Sequence, residues 1–406
     1  MFPLDSYQNK EKNIFCFLII SIFFAIMAES KLFEPLRVGN SILDHRIVMA
    51  PLTRFRADTD HVQLPQALEY YSQRASVPGT LIITEATLIS EAHSGFPNAP
   101  GLWTDAQIKS WKIITDAVHD RRCTIFCQLI APGRAAVLNP SDGGARQLLS
   151  SSATPMTEEE GCDVPQEMTH EQIASCISDF TQAAKNAILA GFDGIEIHGA
   201  NGYLVDQFLQ DNCNKRSDRW GGSIENRARF ALEITSAIME AIGAERVGFR
   251  ISPFSQFQGM RMADPIPQFS FLAENLKRYQ LAYLHIIESR VNNNVDIDCT
   301  DSIKFLLNIW GNTSPIFVAG GYTPENARQA VDGEYRDYDV AVVFGRHFLA
   351  NPDLPYRIKE GQPLNKYDRA SFYTPLLPEG YIDYPFSPGF IAGKALSAGG
   401  TSLTLT

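Results

Sequence analysis

The chain predicts a (β/α)8 TIM barrel, an α/β fold, on three observations. Eight short, apolar, β-branched runs of four to six residues recur along it, as buried parallel strands do. Segments of helical period lie between them. Polar insertions follow the third and fourth runs, on the side where barrels carry their functional loops. A doubly wound open sheet would carry G-x-G-x-x-G after an early strand. No such motif occurs.

Taken in order, Leu36 to Val38 and Ser41 to Leu43 flank Gly39-Asn40, a hairpin signal, and this hairpin is expected to cap the bottom of the barrel. The strand runs are Ile47 to Leu52, Thr80 to Thr84, Thr124 to Leu129, Gly194 to Ile197, Val247 to Ile251, Tyr283 to Ile287, Ile316 to Ala319 and Val340 to Phe344. Among the helices, Thr104 to Val118 opens on a Thr-Asp cap and aligns Ile108, Trp111, Ile114 and Val118. Thr169 to Ala190 pairs a Thr169 cap with Gln172, the spacing of a capping box. Ser223 to Ile242, Phe269 to Arg278, Ser302 to Trp310 and Pro324 to Val331 continue the alternation. The insertions are Ala131 to Met168 and Gln210 to Gly222; in the second, Arg216, Asp218 and Arg219 read as structural ion pairing. The expected division is an apolar N-terminal segment over 1–28, the barrel over 29–387 and a flexible tail over 388–406.

Net charge is −11, and no basic footprint for nucleic acid and no lysine-rich run appear. Seven cysteines are scattered without a CxxC pair or a zinc-type spacing, which predicts reduced thiols, a cytoplasmic setting and no metal site. Cys123 and Cys127, four apart along one strand, are expected in the core. Ile14 to Ala28 is nearly unbroken apolar sequence. Its length of about 15 residues falls short of the roughly 20 that cross a bilayer. A membrane anchor, a signal peptide and an extension foreign to the working protein are all open readings, so membrane contact is expected only if this segment is an anchor.

The strand ends bring chemistry together. His198 closes the fourth run, and Asn201 and Tyr203 follow in a glycine-loosened turn. Two of the three side chains can donate hydrogen bonds to one oxygen, and the phenol is a proton source. Gln128 at the third strand end can meet an amide-like edge through donor and acceptor, and Arg250 at the fifth suits a ring that gains negative charge. Glycine turns at Gly320-Gly321 and Gly345-Arg346 form a phosphate cradle of backbone N–H groups and a cation.

With these motifs in view the chain resembles the Old Yellow Enzyme family of FMN-dependent ene-reductases, from about Leu32 to Ser387. The resemblance rests on Ala50-Pro51-Leu52-Thr53-Arg54, Ile83-Thr84-Glu85-Ala86, His198-Gly199-Ala200-Asn201-Gly202-Tyr203-Leu204, Arg219 to Arg227, Ala319-Gly320-Gly321 and Phe344-Gly345-Arg346. Within the family it is similar to fungal members acting on chanoclavine-I aldehyde in ergot alkaloid biosynthesis. The resemblance implies FMN, with NADPH or NADH as reductant. It implies that Pro51, Leu52, Thr53 and Ala86 line the flavin, that Gln128 holds its pyrimidine edge, and that Arg250 sits where reduction places negative charge. Gly320, Gly321, Gly345 and Arg346 take the phosphate. His198 and Asn201 grip the carbonyl oxygen of an enone or enal, Tyr203 protonates Cα, and Tyr373 and Ile130 line the substrate pocket. Ile130 stands where many relatives carry tryptophan, which implies a roomier pocket; Ser289 stands where proline is frequent. The implied activity is reduction of the C=C bond of an α,β-unsaturated aldehyde or ketone. A flavin-dependent isomerase or cyclisation catalyst, or a non-catalytic flavin-binding barrel, are the alternatives, and a monomer or a homodimer are both open.

Overall fold

The computed structural model describes residues 30–137, 147–157, 159, 162–289, 291–292, 295–296 and 301–399. The apolar segment Ile14 to Ala28, with Cys16, lies outside them, as does Cys299. Eight parallel strands close into a barrel: β1 Ile47–Met49, β2 Leu81–Ile83, β3 Thr124–Ile130, β4 Gly194–Gly199, β5 Val247–Ile251, β6 Tyr283–Ile287, β7 Ile316–Ala319 and β8 Val340–Phe344. Closure comes from β8 pairing with β1 and β2 with both β1 and β3. A closed sheet leaves no unpaired edge.

Around it lie α1 Pro65–Arg74, α2 Asp105–His119, α3 His170–Leu189, α4 Ile224–Ile242, α5 Pro265–Lys277, α6 Lys304–Trp310, α7 Pro324–Gln329 and α8 Leu354–Lys359. The capping boxes form at Thr104/Gln107 and at Thr169/Gln172. Sequence period misses α1 and α8. The Leu64 N-cap of α1 makes no side-chain cap bond, and Pro65 opens it at the first position. Pro265 likewise starts α5 four residues before the expected Phe269, because proline at a first helical turn begins a helix. Past Gln329 the chain widens into one π turn, Ala330–Glu334.

The strands sort their side chains by parity. Ile195 and Ile197 of β4 join the large apolar layer between barrel and helices, with Trp111, Phe180, Phe230 and Trp310. Cys123 and Cys127 belong to that layer as unpaired thiols, pushed up to about 11 and about 12 by burial. The barrel interior is a second cluster, with Leu81, Phe126, Tyr283, Phe317 and Ala341. The hairpin Leu36–Val38/Ser41–Leu43 adds Leu36, Val38 and Leu43 to it from below. Its Gly39 has φ 53, and a Cβ there would strike the Glu245 carbonyl just before β5. Tyr283 and Phe317 stack at 4.1 Å and plug the interior.

The insertion after β3 is partly described and contributes a parallel pair, Leu149–Ser150 with Gln166–Glu167. In the insertion after β4, Arg216 holds Asp218 through Nε at 3.0 Å and donates to the Met168 carbonyl at 2.8 Å, a structural tie. Among the described residues no helix is long and apolar enough to cross a membrane.

The C-terminal stretch departs from the expected flexible tail over Pro388–Gly399, which is helical. Ser387 Oγ accepts from the Phe390 amide at 3.4 Å, and Phe390 meets the Tyr356 ring of α8 at 5.3 Å. Upstream, two buried arginines clamp the segment across the barrel mouth. Arg54 donates to the carbonyls of Phe372 (3.0 Å) and Gly380 (2.7 Å), and Arg56 to those of Leu377 (3.0 Å) and Phe372 (3.1 Å). Tyr381 is fully buried, stacked on Tyr70 of α1 at 4.1 Å, with Arg56 over its ring at 4.9 Å. Tyr381→Ala is expected to destabilise the protein by about 3–5 kcal/mol, the usual range for emptying a buried aromatic site. A chemical-denaturation curve checks it, and an unchanged midpoint would show that the clamp does not depend on the stack.

Candidate active site

The C-terminal strand ends open into one cavity of about 520 Å³. Register sets its floor. His198 of β4 is level with Arg250 of β5, and Arg250 with His285 of β6; one step lower, Gln128 of β3 is level with Glu196 of β4. Parity turns these polar side chains inward while their neighbours face the helices.

Glu196 organises this floor. It is fully buried, accepts from Gln128 Nε2 at 2.7 Å and bonds His285 Nδ1 at 2.8 Å. Burial works against its charge, yet His285, Arg250 and Gln128 together hold its carboxyl below the ordinary range. A carboxylate only accepts, so the nitrogen end of the Gln128 amide is pinned and its carbonyl is left for a donor in the cavity. Arg250 is buried, and its Nε has no hydrogen-bond partner. Burial lowers its pKa, but a guanidinium in this position stays a cation.

The turn after β4 carries the other groups. The Ala200 amide donates to His198 Nδ1 at 3.3 Å, so the imidazole proton sits on Nε2. Burial, with Arg250 and His285 adding, holds this histidine well below its usual pKa, hence neutral. Asn201 adopts φ 55, and its amide donates to Ser252 Oγ at 2.7 Å. The Tyr203 ring meets the His198 ring edge-on at 4.7 Å. Burial pushes the Tyr203 phenol up to about 12; Tyr373 adds to the rise, and Gln258 and Arg250 oppose it. Beneath the turn, Asp206 accepts from the Gly202 amide at 2.9 Å and from Gln210 at 2.8 Å, and burial pushes its carboxyl up to about 7.

Opposite, Pro51, Leu52, Thr53 and Ala86 line one wall. Glu85 fixes that wall by accepting from the Arg54 amide at 3.1 Å and from Gln63 at 3.0 Å. Gly320 and Gly321 have φ 124 and 65, conformations that side chains avoid, and with Gly345 and Arg346 they line the far end.

Of the residues expected at the site, Pro51, Leu52, Thr53, Ala86, Gln128, His198, Asn201, Tyr203, Arg250, Gly320, Gly321, Gly345, Arg346 and Tyr373 all border this cavity. Ile130 does not. It is buried with Ala86, Leu88 and Ala99, and Tyr203 packs against that cluster. It shares the strand face of Gln128, two residues back, but there it is enclosed in that cluster, with Tyr203 packed against it, and so does not reach the lining. Sequence reading missed Phe55, Phe96 and Gln258 on the lining, and Glu196 and His285 beneath it. Glu196 was findable, since it stands two residues before His198 on one strand and shares its face. The loop residues carry no such signal.

These features fit FMN. A buried guanidinium short of partners suits the ring edge that gains charge, a pinned glutamine carbonyl suits a ring N–H, and glycine turns with an arginine suit a phosphate. The family model described as "NADH:flavin oxidoreductase / NADH oxidase family" matches residues 31–365. The chain belongs to that family. It is an FMN-dependent NAD(P)H oxidoreductase of the Old Yellow Enzyme type. A chanoclavine-I aldehyde reductase of Penicillium roqueforti is 53% identical over 373 residues, 91% of this chain and 99% of that protein. A protein of Epichloe festucae var. lolii named "Probable inactive reductase" is 48% identical over 376 residues, 90% and 97% of the two chains. The crystal structure of Old Yellow Enzyme from Pichia sp. AKU4542 superposes with a TM-score of 0.81 at 38% identity, covering 88% of this chain and 94% of that one.

Arg250→Met is expected to weaken FMN binding about 10- to 100-fold, the worth of a hydrogen bond to a charged group. Flavin fluorescence released on dilution measures it, and an unchanged affinity would remove Arg250 from the flavin site.

Proposed function

We propose that this oxidoreductase reduces the C=C bond of an α,β-unsaturated aldehyde or ketone, with His198 and Asn201 binding the carbonyl oxygen and Tyr203 protonating Cα. The observation that carries this reading is the grouping of a neutral imidazole, a carboxamide and a phenol on one cavity, the two rings 4.7 Å apart. With Nδ1 engaged by the Ala200 amide, His198 offers Nε2–H as a donor. The Asn201 side chain makes no hydrogen bond to the described residues, so its N–H is open to the same oxygen. Donors aimed where charge develops act chiefly on the transition state.

Bound FMN, reduced by NAD(P)H, supplies the hydride for Cβ. Draining electron density toward an oxygen held by His198 and Asn201 makes Cβ receptive. Tyr203 then donates its proton to Cα and regains one from water. A phenol at about 12 is a weak acid, but an enolate is basic enough to take its proton. The aromatic rim of Phe55, Phe96 and Tyr373 supports a large, flat substrate. The similarity to a chanoclavine-I aldehyde reductase supports an enal of fungal secondary metabolism. Five unpaired cysteines among the described residues support work in the cytoplasm.

Tyr203→Phe should leave reduction of the enzyme by NADPH intact and slow alkene reduction about 100- to 10,000-fold. Anaerobic stopped-flow separates the two half-reactions, and full-speed turnover would refute the donor role. Product mass distinguishes reduction, two units heavier, from isomerisation or cyclisation without net reduction. Because His198 stays neutral, KM for an enal should hold constant from about pH 8 to about pH 6. Asp206, pushed up to about 7 beneath the same turn, titrates in that window, so a step in KM that persists in Asp206→Asn would show the histidine gaining a proton there.

A further inference from the structure

Asp206 lies on the short helix Leu204–Leu209 that follows the turn after β4, and it is fully buried. The turn above it is constrained. Asn201 and Gly202 are consecutive left-handed residues, at φ 55 and 77, and a Cβ on Gly202 would come within 2.9 Å of Gln258 Cβ. Backbone of this kind persists only where its surroundings hold it. Two buried side chains take its amides. Ser252, just past β5, accepts from Asn201 at 2.7 Å, and Asp206 accepts from Gly202 at 2.9 Å. The first tie secures Asn201. The second secures the residue that leads into Tyr203.

The other oxygen of Asp206 accepts from Gln210 Nε2 at 2.8 Å. That amide cannot turn over, because Gln210 Oε1 already accepts from the Arg261 and Met262 amides at 2.9 and 2.8 Å. Both carboxyl oxygens thus face fixed donors, one a backbone N–H and the other a locked carboxamide. An ionised carboxylate, which only accepts, satisfies both. A carboxylic acid presents an O–H to a donor, and both bonds lose their charge assistance.

Resting on the proposed donor role of Tyr203, we infer that Asp206 is a positioning residue: its carboxylate fixes the turn so that the phenol meets the reacting carbon, and a proton taken up from solvent loosens Tyr203 while Asn201 stays tied to Ser252. Proton delivery then slows, and substrate binding holds. Burial pushes this carboxyl up to about 7, against the pull of Gln210, Gly202 and Arg134, so the change falls near neutral pH. The other titratable groups around the turn keep one state through that range. Burial raises the Cys213 thiol and the Tyr203 phenol and lowers His198, and Arg134 stays a cation.

The test is stopped-flow on the FMN-loaded enzyme with trans-cinnamaldehyde as the enal. At saturating aldehyde, alkene reduction should fall about 10-fold from about pH 8 to about pH 6, with KM constant and with no matching step in reduction by NADPH. Asp206→Asn carries an NH2 where the acid carries its O–H. It should keep the flavin spectrum and run across the whole range at the wild type's low-pH rate. In a Tyr203→Phe background neither Asp206→Asn nor the pH change should cost anything further. A wild-type rate flat across the range would overturn the inference, whether or not the variant folds. So would an Asp206→Asn enzyme that keeps the step or runs at the full high-pH rate, or an equal loss with and without Tyr203. Full speed in Tyr203→Phe would overturn the donor reading, and this inference with it.

Discussion

The centre of this molecule is governed by a buried guanidinium. Arg250 stands inside a closed barrel, where a cation is costly unless something compensates it. The protein compensates in part: Glu196 lies one step down the adjoining strand, held by Gln128 and His285. The remaining face of Arg250 looks into the cavity, and its Nε is left without a partner. That residual positive potential suits a ring that carries negative charge. It also adds to the burial that keeps His198 neutral, so the imidazole, with Nδ1 engaged by the Ala200 amide, keeps an Nε2–H facing the cavity. Removal of Glu196 would leave the guanidinium uncompensated and the glutamine unpinned, so the floor behaves as one unit.

Around that floor, the mouth is built from segments remote in sequence. Arg54 and Arg56, just after β1, hold the C-terminal stretch that carries Phe372 and Tyr373 through bonds to its carbonyls. Arg134 joins the insertion after β3 to the loop after β5. Gln207, on the short helix Leu204–Leu209, accepts from the Arg134 amide at 3.1 Å and donates to the Gly202 carbonyl at 2.7 Å. Each tie is a buried side chain satisfying loop backbone, which lets irregular chain surround a site without orphaned polar groups. Rigid placement of this kind is what positioning of a reactive oxygen requires.

Legibility in the sequence followed how local the signal was. The β4 run and its turn were readable because strand parity, a histidine at the strand end and glycine-flanked Asn201 and Tyr203 lie within ten residues. The capping boxes of α2 and α3 were readable for the same reason. Helix α1 was not, since it is capped by proline geometry and buried through Tyr70 and Tyr71, whose partners Tyr381 and Glu85 lie elsewhere in the chain. Ile130 has the strand position of a pocket residue, yet its side chain is enclosed with Ala86, Leu88 and Ala99 and packed against Tyr203, contacts that come from other strands and loops.

The sequence by itself determined the barrel, the identity of its strand-end chemistry and the flavin family, because hydrophobic period and contiguous motifs express short-range physics. Only the tertiary structure decided which groups face one another: that Glu196 pins Gln128, that Gln258 borders the cavity from the loop after β5, and that two arginines fold the C-terminal stretch over the mouth. Those pairings bridge residues tens to hundreds of positions apart. They depend on register and closure of the sheet, which no local pattern encodes.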